Sequence, residues 1–340
     1  MEISNPHDKF FKESFSVIEN AVDFLQGTLP AEILQALNLS TLTIENNSYI
    51  DEELKEHFSD LVYNCNCREK ETKIAILFEH KSFPPFNPHL QLLKYLLKIW
   101  ETNIKQQQKL IPVVPVILYH GKERWKVKRF SDYFEEVVKE FSGYIPEFRY
   151  ELTDLSLYSN EEIKDKIFKK VSLEIAMLLM KNIFDERELT RNLKDILEIG
   201  RRYFEHEKGL RFLESVIRYL SQAEIEPEAV FRTIKEISEK GGELIMTMET
   251  RLIERYKERY MERGRVEGIE KGRVEGRVEG RVEGLKEAIA LGLELKYGVK
   301  GLSLYEKIAK ISSLEQLEAI KEAVKISKSM EEIDILVRKD

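Results

Sequence analysis

Residues 73–82 read KIAILFEHKS, an apolar run of strand length that ends in a carboxylate and an ammonium two positions apart. Side chains alternate between the faces of a strand, so we expect Glu79 and Lys81 to emerge side by side. A second acidic residue, Asp60, opens another strand-like run at residues 60–63. Two carboxylates at strand ends offer the hard oxygen ligands that a divalent metal ion prefers. The pattern predicts a metal-dependent site or, as the simpler alternative, a solvated strand edge with a cross-strand ion pair.

A proline-rich loop and an amphipathic segment follow this strand. The loop occupies residues 83–88, and the apolar residues after it recur at helical spacing, which predicts a helix at residues 88–108. Gln91 and Tyr95 are four positions apart and therefore share one face of that helix. A short β-rich run at residues 112–119 comes next. The order strand, strand, helix, strand indicates an α/β core.

Five motifs in this order resemble the recombination-promoting nucleases, a family also described as transposase-like. The motifs are HDKFFK (7–12), DLVY (60–63), FEHKS (78–82), QLLKY (91–95) and LYHG (118–121). The resemblance is close over roughly the first 130 residues and looser through the rest of the chain. It implies a restriction-endonuclease-like fold of the PD-(D/E)xK superfamily and cleavage of DNA that depends on Mg²⁺ or Mn²⁺.

The resemblance also implies roles for individual residues. Asp60 and Glu79 would be metal ligands, and Lys81 would be the catalytic lysine. Gln91 and Tyr95 would be auxiliary residues. The name of the superfamily includes a proline before the first acidic residue, whereas a serine precedes Asp60 here. That proline is dispensable across the superfamily, so the assignment stands without it.

The net charge of −7 gives no sign of a nucleic-acid ligand, but the charge is unevenly distributed. Residues 94–129 contain nine basic residues and two acidic ones. A basic segment directly after the proposed catalytic strand suits contacts with phosphates, and Lys94, Lys122, Arg124 and Lys126 are the candidates. A solvated surface is the alternative, because runs of charge are common on surfaces that bind nothing.

The composition is typical of a protein rich in exposed helix, with 42% hydrophobic and 34% charged residues. No apolar run reaches 18 residues and the N-terminus has no signal-peptide pattern, so we expect a cytoplasmic protein without a membrane span. Cys65 and Cys67 are too close in sequence to staple a fold, and two thiols supply only half of a zinc site. We therefore expect both cysteines to be reduced.

Sequence periodicity divides the chain into four predicted parts. Residues 1–130 form the nuclease core, which begins with two helices between residues 6 and 38. Residues 131–248 show helical periodicity throughout and form a helical subdomain. An extended helix at residues 249–284 and a small helical interaction domain at residues 285–340 complete a mostly α-helical C-terminal half.

Residues 264–284 contain a glycine at every fourth position, commonly separated by Arg-Val-Glu. Each glycine costs up to about 1 kcal/mol relative to alanine in a helix, so an isolated helix here would be marginal. The strongly helical flanks favour an exposed helix used in self-association, and a flexible spacer is the alternative. We therefore expect a homo-oligomer formed through the C-terminal helical region.

The sequence thus predicts a metal-dependent DNA endonuclease that hydrolyses phosphodiester bonds in recombination or transposition-like events. The first alternative is a catalytically inactive DNA-binding or oligomerising protein that retains the nuclease fold. The second is a structural helical assembly protein in which the acidic motif is coincidental.

Overall fold

The computed structural model describes residues 6–45, 61–67, 72–134, 139–248, 250–327 and 329–337. Within these ranges it gives the backbone without side-chain detail at residues 72–81, 139, 165, 251 and 252. The chain forms two compact units, Met1–Tyr260 and Met261–Asp340. Among the described helices, none is long and apolar enough to cross a membrane.

Three helices open the first unit: α1 (Pro6–Phe15), α2 (Ile18–Thr28) and α3 (Ala31–Ala36). The prediction of two helices in this region is wrong, because the chain also breaks after Phe15. The Phe15 carbonyl accepts a hydrogen bond from the buried Tyr63 hydroxyl at 2.6 Å. This bond to the sheet takes the place of the next helical hydrogen bond and so fixes where α1 ends.

A five-stranded mixed sheet follows these helices. Its strands lie in chain order: β1 (Leu37–Ile44), β2 (Leu61–Cys67), β3 (Thr72–Lys81), β4 (Val113–Tyr119) and β5 (Glu151–Asp154). The pairs β1–β2 and β2–β3 are antiparallel, whereas β3–β4 and β4–β5 are parallel. Helix α4 (Pro88–Lys105) is the crossover that the parallel β3–β4 pair requires. The fold is therefore mixed α/β and mostly helical, as predicted.

Two strand segments were missed by the sequence analysis. Helical periodicity predicted no strand beyond residue 130, yet Glu151–Asp154 pairs with the end of β4. Four residues are too few to show a period of two, and only the neighbouring strand makes them a strand. Leu37 lies in a segment predicted to be helical, but it pairs with Cys67 and begins β1.

Both faces of β4 are buried, and the two sets of alternating residues enter different cores. Val116 and Leu118 belong to the larger core. Ile117 and Tyr119 belong to a smaller core that also contains Trp125. A strand with helices or loops over both faces reads as a continuous apolar run, which explains the sequence VVPVILY of β4.

Helices complete the first unit: α5 (Val171–Asn182), α6 (Glu186–Glu198), α7 (Glu207–Leu220), α8 (Pro227–Ile237) and α9 (Glu239–Thr247). Short helical turns lie at Phe130–Tyr133, Lys139–Tyr144, Leu155–Leu157, Asn160–Glu162, Ile163–Ile167 and Tyr203–Glu205.

The larger core runs from the phenylalanines of α1 and α2 into α5–α9. The Asp23 carboxylate joins these parts by accepting from the backbone N–H groups of Lys169 and Lys170 at 2.7 and 2.8 Å. The core is thus continuous across residue 130, where the predicted division between core and helical subdomain lies.

The last four helices are α10 (Thr250–Tyr297), α11 (Val299–Ile308), α12 (Leu314–Ile326) and α13 (Met330–Val337). The second unit has its own core, in which Ile289, Leu293, Ile308, Leu317 and Ile320 are fully buried. The glycine repeat is helical, as favoured from its flanks, and α10 continues past the repeat to Tyr297. Its role in self-association stays a prediction.

The two cysteines are free thiols, and their reduced state in the cell stays a prediction. Cys65 is buried on β2, and its Sγ donates to the Asn38 carbonyl at 3.2 Å. Burial raises the pKa of the Cys65 thiol. The thiol therefore serves as a packed, weakly polar core group and not as a nucleophile.

Candidate active site

The strand register brings the start of β2 and the ends of β3, β4 and β5 to one edge of the sheet. Leu61, the first residue of β2, pairs with Phe78 near the end of β3. Lys81, the last residue of β3, pairs with Tyr119 at the end of β4, and Tyr119 pairs with Asp154 at the end of β5. Ligand sites of α/β sheets commonly lie beyond the carboxyl ends of parallel strands. This edge is therefore the candidate active site.

The structure describes the backbone of two predicted catalytic residues and does not describe the third. Asp60 lies outside the described residues, directly before Leu61 in the chain. Glu79 and Lys81 lie on β3, where their backbones pair with those of Ile117 and Tyr119. Among the side chains that the structure describes, no three histidines, cysteines or acidic residues cluster so as to hold a metal ion. The catalytic and metal-binding roles of these residues stay predictions.

Helix α4 carries the two predicted auxiliary residues. Its start is fixed by Asn87, whose side chain accepts from the Leu90 N–H at 3.1 Å, and by Pro88 in the first turn. Tyr95 is buried in the smaller core with Leu92, whereas Gln91 is half-buried. The helix thus holds Tyr95 between itself and β4.

The loop that follows β4 carries most of the predicted DNA-binding residues. We call residues 120–129 the basic loop; Lys122, Arg124 and Lys126 are all exposed on it. Lys94 is exposed on α4. The structure thus leaves all four candidate cations in contact with solvent, as contacts with a phosphate backbone require.

Asp154 anchors the basic loop, and sequence analysis did not single it out. Its buried carboxylate accepts from the backbone N–H groups of Trp125 at 3.2 Å and of Ser156 at 2.9 Å. The Tyr119 hydroxyl donates to the Glu123 carbonyl, and the Trp125 ring packs edge-on against Tyr119. A loop held by its backbone can present exposed cations in a fixed arrangement. The sequence carries no local signal for Asp154, because Glu151–Asp154 is a strand only through its pairing with β4.

A buried histidine begins the basic loop. The His120 Nδ1–H donates to the Met180 carbonyl at 3.2 Å, and its ring stacks on Phe184 at 5.3 Å between centroids. The His7 ring lies 5.2 Å from that of His120, and the His7 Nδ1 is 2.9 Å from the Tyr219 hydroxyl oxygen. Burial, together with the nearby His7, lowers the pKa of His120 to about 3. His120 is therefore neutral at physiological pH and acts as a packing group.

Comparison with known proteins identifies relatives of this chain. A family model described as "Putative transposase, YhgA-like" matches residues 5–211. The recombination-promoting nuclease RpnC of Escherichia coli (strain K12) is 25% identical over 247 residues, which cover 72% of this chain and 80% of RpnC. The recombination-promoting nuclease RpnA of the same strain is 32% identical over 121 residues, or 35% of this chain and 41% of RpnA.

One relative of comparable coverage carries a different description. The inactive recombination-promoting nuclease-like protein RpnE of Escherichia coli (strain K12) is 27% identical over 255 residues, covering 73% of this chain and 82% of RpnE. No solved structure matches the chain. The relatives thus include proteins named as nucleases and a protein named as inactive.

Proposed function

Because the chain belongs to the family of YhgA-like transposases, we propose that it is a metal-dependent DNA endonuclease with a restriction-endonuclease-like core. The observation that carries the proposal is the register at the sheet edge. The pairing of Leu61 with Phe78 brings the start of β2 to the end of β3, the strand that bears Glu79 and Lys81. Asp60 directly precedes Leu61 in the sequence, and in this proposal an acid, a second acid and a lysine come together at that edge.

The residues at this edge suit Mg²⁺ or Mn²⁺, since Asp60 and Glu79 offer the hard oxygen ligands that both ions accept. When bound, the ion would polarise the phosphodiester and supply an activated water. Lys81 would orient that water or neutralise charge that develops on the phosphoryl oxygens. Gln91 would position the DNA backbone from α4. The exposed cations of the basic loop would bind flanking phosphates.

The test is cleavage of plasmid DNA by the full chain, in Mg²⁺ and in EDTA. We expect the wild-type protein to cleave in Mg²⁺ alone, and Asp60→Ala and Lys81→Ala each to lose about 100-fold or more, the usual cost of removing a charge-stabilising group. Glu101→Ala and Lys105→Ala, two exposed residues on α4, serve as matched controls and should retain activity. Equal cleavage by Lys81→Ala and by wild type would contradict the proposal.

The alternative of an inactive protein that retains the fold has one specific observation in its favour. RpnE, whose coverage is close to that of RpnC, is named as inactive. This chain retains Asp60, Glu79 and Lys81, which argues for activity. DNA binding by a pure wild-type protein that cleaves no DNA in Mg²⁺ or Mn²⁺ would establish the alternative.

A further inference from the structure

The loop after β3 displays two phenylalanines to solvent. We call residues 82–87 the aromatic loop; Phe86 is 94% exposed and Phe83 is 67% exposed. Burying a phenylalanine side chain stabilises a protein by about 1.5–3 kcal/mol. Neither Phe83 nor Phe86 makes this contribution in full, because both side chains are mostly exposed. Two exposed aromatic rings next to a basic surface are typical of a binding surface.

The aromatic loop is stiff, so its rings are presented at little cost in entropy. Pro84 and Pro85 separate the two phenylalanines, and Pro88 with the Asn87 cap ends the loop at the first turn of α4. Proline fixes one backbone dihedral at each of these positions. A surface that is ordered before it binds loses less free energy on binding.

A cavity of about 440 Å³ lies between the aromatic loop and the basic loop, at the ends of β3 and β4. Its walls are formed by Phe83, Pro84, Tyr119 and Phe184, with Ser82, Lys122 and Glu123 as the polar lining. The Phe184 ring stacks on the ring of the buried His120. A Cβ at Gly121 would overlap the Ser82 carbonyl and the Tyr119 hydroxyl, so the two loops are in direct contact. We call this open cavity, which is lined mainly by aromatic rings and lies beside the cations of the basic loop, the slot.

We propose that this slot receives an unpaired nucleobase of the DNA, next to the phosphate that is cleaved. Every base has a π-face, and stacking on aromatic side chains contributes about 1–3 kcal/mol per base. Lys122 at the slot and Arg124 and Lys126 beyond it supply cations for the flanking phosphates. The Glu123 carboxylate can accept from an exocyclic amino group of a base. This inference rests on the proposed nuclease function and defines its substrate as DNA that contains an unpaired nucleotide.

The preference follows from the cost of exposing a base. A base within an intact duplex is accessible only after unpairing and unstacking, which cost about a few kcal/mol. In a bubble or a single strand the base is already unpaired, so binding does not include that cost. The enzyme should therefore bind and cut a bubble in preference to a matched duplex. Opening of the duplex by another process would determine where it acts.

The experiment measures base stacking separately from cleavage. The probe is 2-aminopurine, placed either in a three-nucleotide bubble or in the matched duplex, and titrated with the full chain in EDTA. We expect quenching of the bubble probe and about tenfold tighter binding of the bubble than of the duplex. Phe83→Ala, which removes one wall of the slot, should lose this preference, whereas Phe83→Trp should retain it.

Phe141→Ala is the matched control, since Phe141 is 62% exposed and belongs to neither loop. Absence of quenching, or equal affinity of wild type for bubble and duplex, would overturn the proposal. Cleavage assays in Mg²⁺ distinguish a failure of the slot proposal from a failure of the proposed nuclease function. Efficient cleavage of duplex without quenching leaves the nuclease function and removes the base slot. Quenching without cleavage of any DNA leaves the slot and removes the nuclease function.

Discussion

Packed glycines of the first unit and the repeat glycines of the second unit have different surroundings. In the first unit, a Cβ at Gly209 would overlap the backbone of Tyr203, and one at Gly121 would overlap Ser82 and Tyr119. In the second unit, a Cβ at any glycine of the repeat would meet nothing within 4 Å; these are Gly264, Gly268, Gly272, Gly276, Gly280 and Gly284. The most regular glycine pattern in the sequence is therefore the one that the fold of this chain needs least. The glycine repeat therefore serves either a contact with another molecule or the flexibility of the helix.

The units also differ in their buried polar groups. The first contains buried histidines, buried carboxylates and a Tyr63–Phe15 hydrogen bond inside its core. The second unit has an apolar core of aliphatic side chains, and residues 261–340 contain no histidine. The stability of the first unit should consequently respond to pH, and the exposed repeat of the second unit should respond to helix propensity.

The largest expected difference between the units is their response to acid. His120 has a pKa of about 3 in the folded protein, against about 6.5 in an unfolded chain. Between these values the unfolded chain binds a proton that the folded chain does not, so the free energy of unfolding falls as the pH drops. By pH 4.5 this loss amounts to about 3 kcal/mol.

Urea denaturation at pH 7 and pH 4.5 measures this effect. His120→Phe keeps a ring against Phe184 and should show a smaller loss between the two pH values than wild type does. The transition of the second unit serves as an internal reference, since it contains no histidine. An equal loss for wild type and His120→Phe would assign the acid sensitivity to other groups.

The next effect is steric and acts on the first unit alone. Gly209→Ala places a methyl group against the Tyr203 carbonyl and should lower the free energy of unfolding by about 2 kcal/mol, as overpacking does. Gly143→Ala, in the same unit, meets nothing within 4 Å and should change stability by less than about 0.5 kcal/mol. Denaturant titration of both variants checks the contrast. Equal stability of the two would remove the packing argument.

The same substitution in the repeat should have the opposite sign. Gly276→Ala adds a methyl group in open space on a helix, and alanine is favoured there by up to about 1 kcal/mol. Circular dichroism on heating should show a later loss of helix. If the glycines pack against a second copy of the chain, the variant should also weaken association in light scattering. A higher helix stability with unchanged association would assign the repeat to spacing.

The smallest effect concerns the salt dependence of DNA binding. Neutralising Lys122, Arg124 and Lys126 together should reduce the slope of log affinity against log salt by about 2 to 3, since each phosphate contact contributes nearly one. The control neutralises three exposed lysines of the second unit, Lys271, Lys300 and Lys310. Equal slopes for the two triple variants would show that the basic loop is only a solvated surface.

Much of this fold could be read from sequence periodicity, and the missed parts share a physical cause. The crossover helix α4 and strand β4 were predicted within a few residues, because a long apolar stripe and a β-branched run are local signals. Strand β5 was missed because Glu151–Asp154 is a strand only through its partner β4. The start of β1 at Leu37 was taken as helix for the same reason, since its pairing with Cys67 is a tertiary contact.

The residues of the candidate site also differ in whether a local sequence signal marks them. The i,i+2 spacing of Glu79 and Lys81 at a strand end marked the edge, and the described register of β2, β3 and β4 agrees with that placement. Asp154 had no local signature, and His120 stood out only as part of the LYHG motif, because their importance comes from the loop and the aromatic wall that they hold. The sequence thus marked candidate catalytic residues, whereas Asp154 and the wall formed with His120 became visible only in the structure.

Metal binding tests the central claim most directly, namely that Asp60 and Glu79 meet at one edge of the sheet. Mn²⁺ can be titrated into the full chain and followed by electron paramagnetic resonance, without DNA. We expect wild type and the exposed-residue control Glu101→Gln to bind Mn²⁺, and Asp60→Asn/Glu79→Gln to lose that binding while remaining folded. Unchanged Mn²⁺ affinity in the double variant would contradict the account.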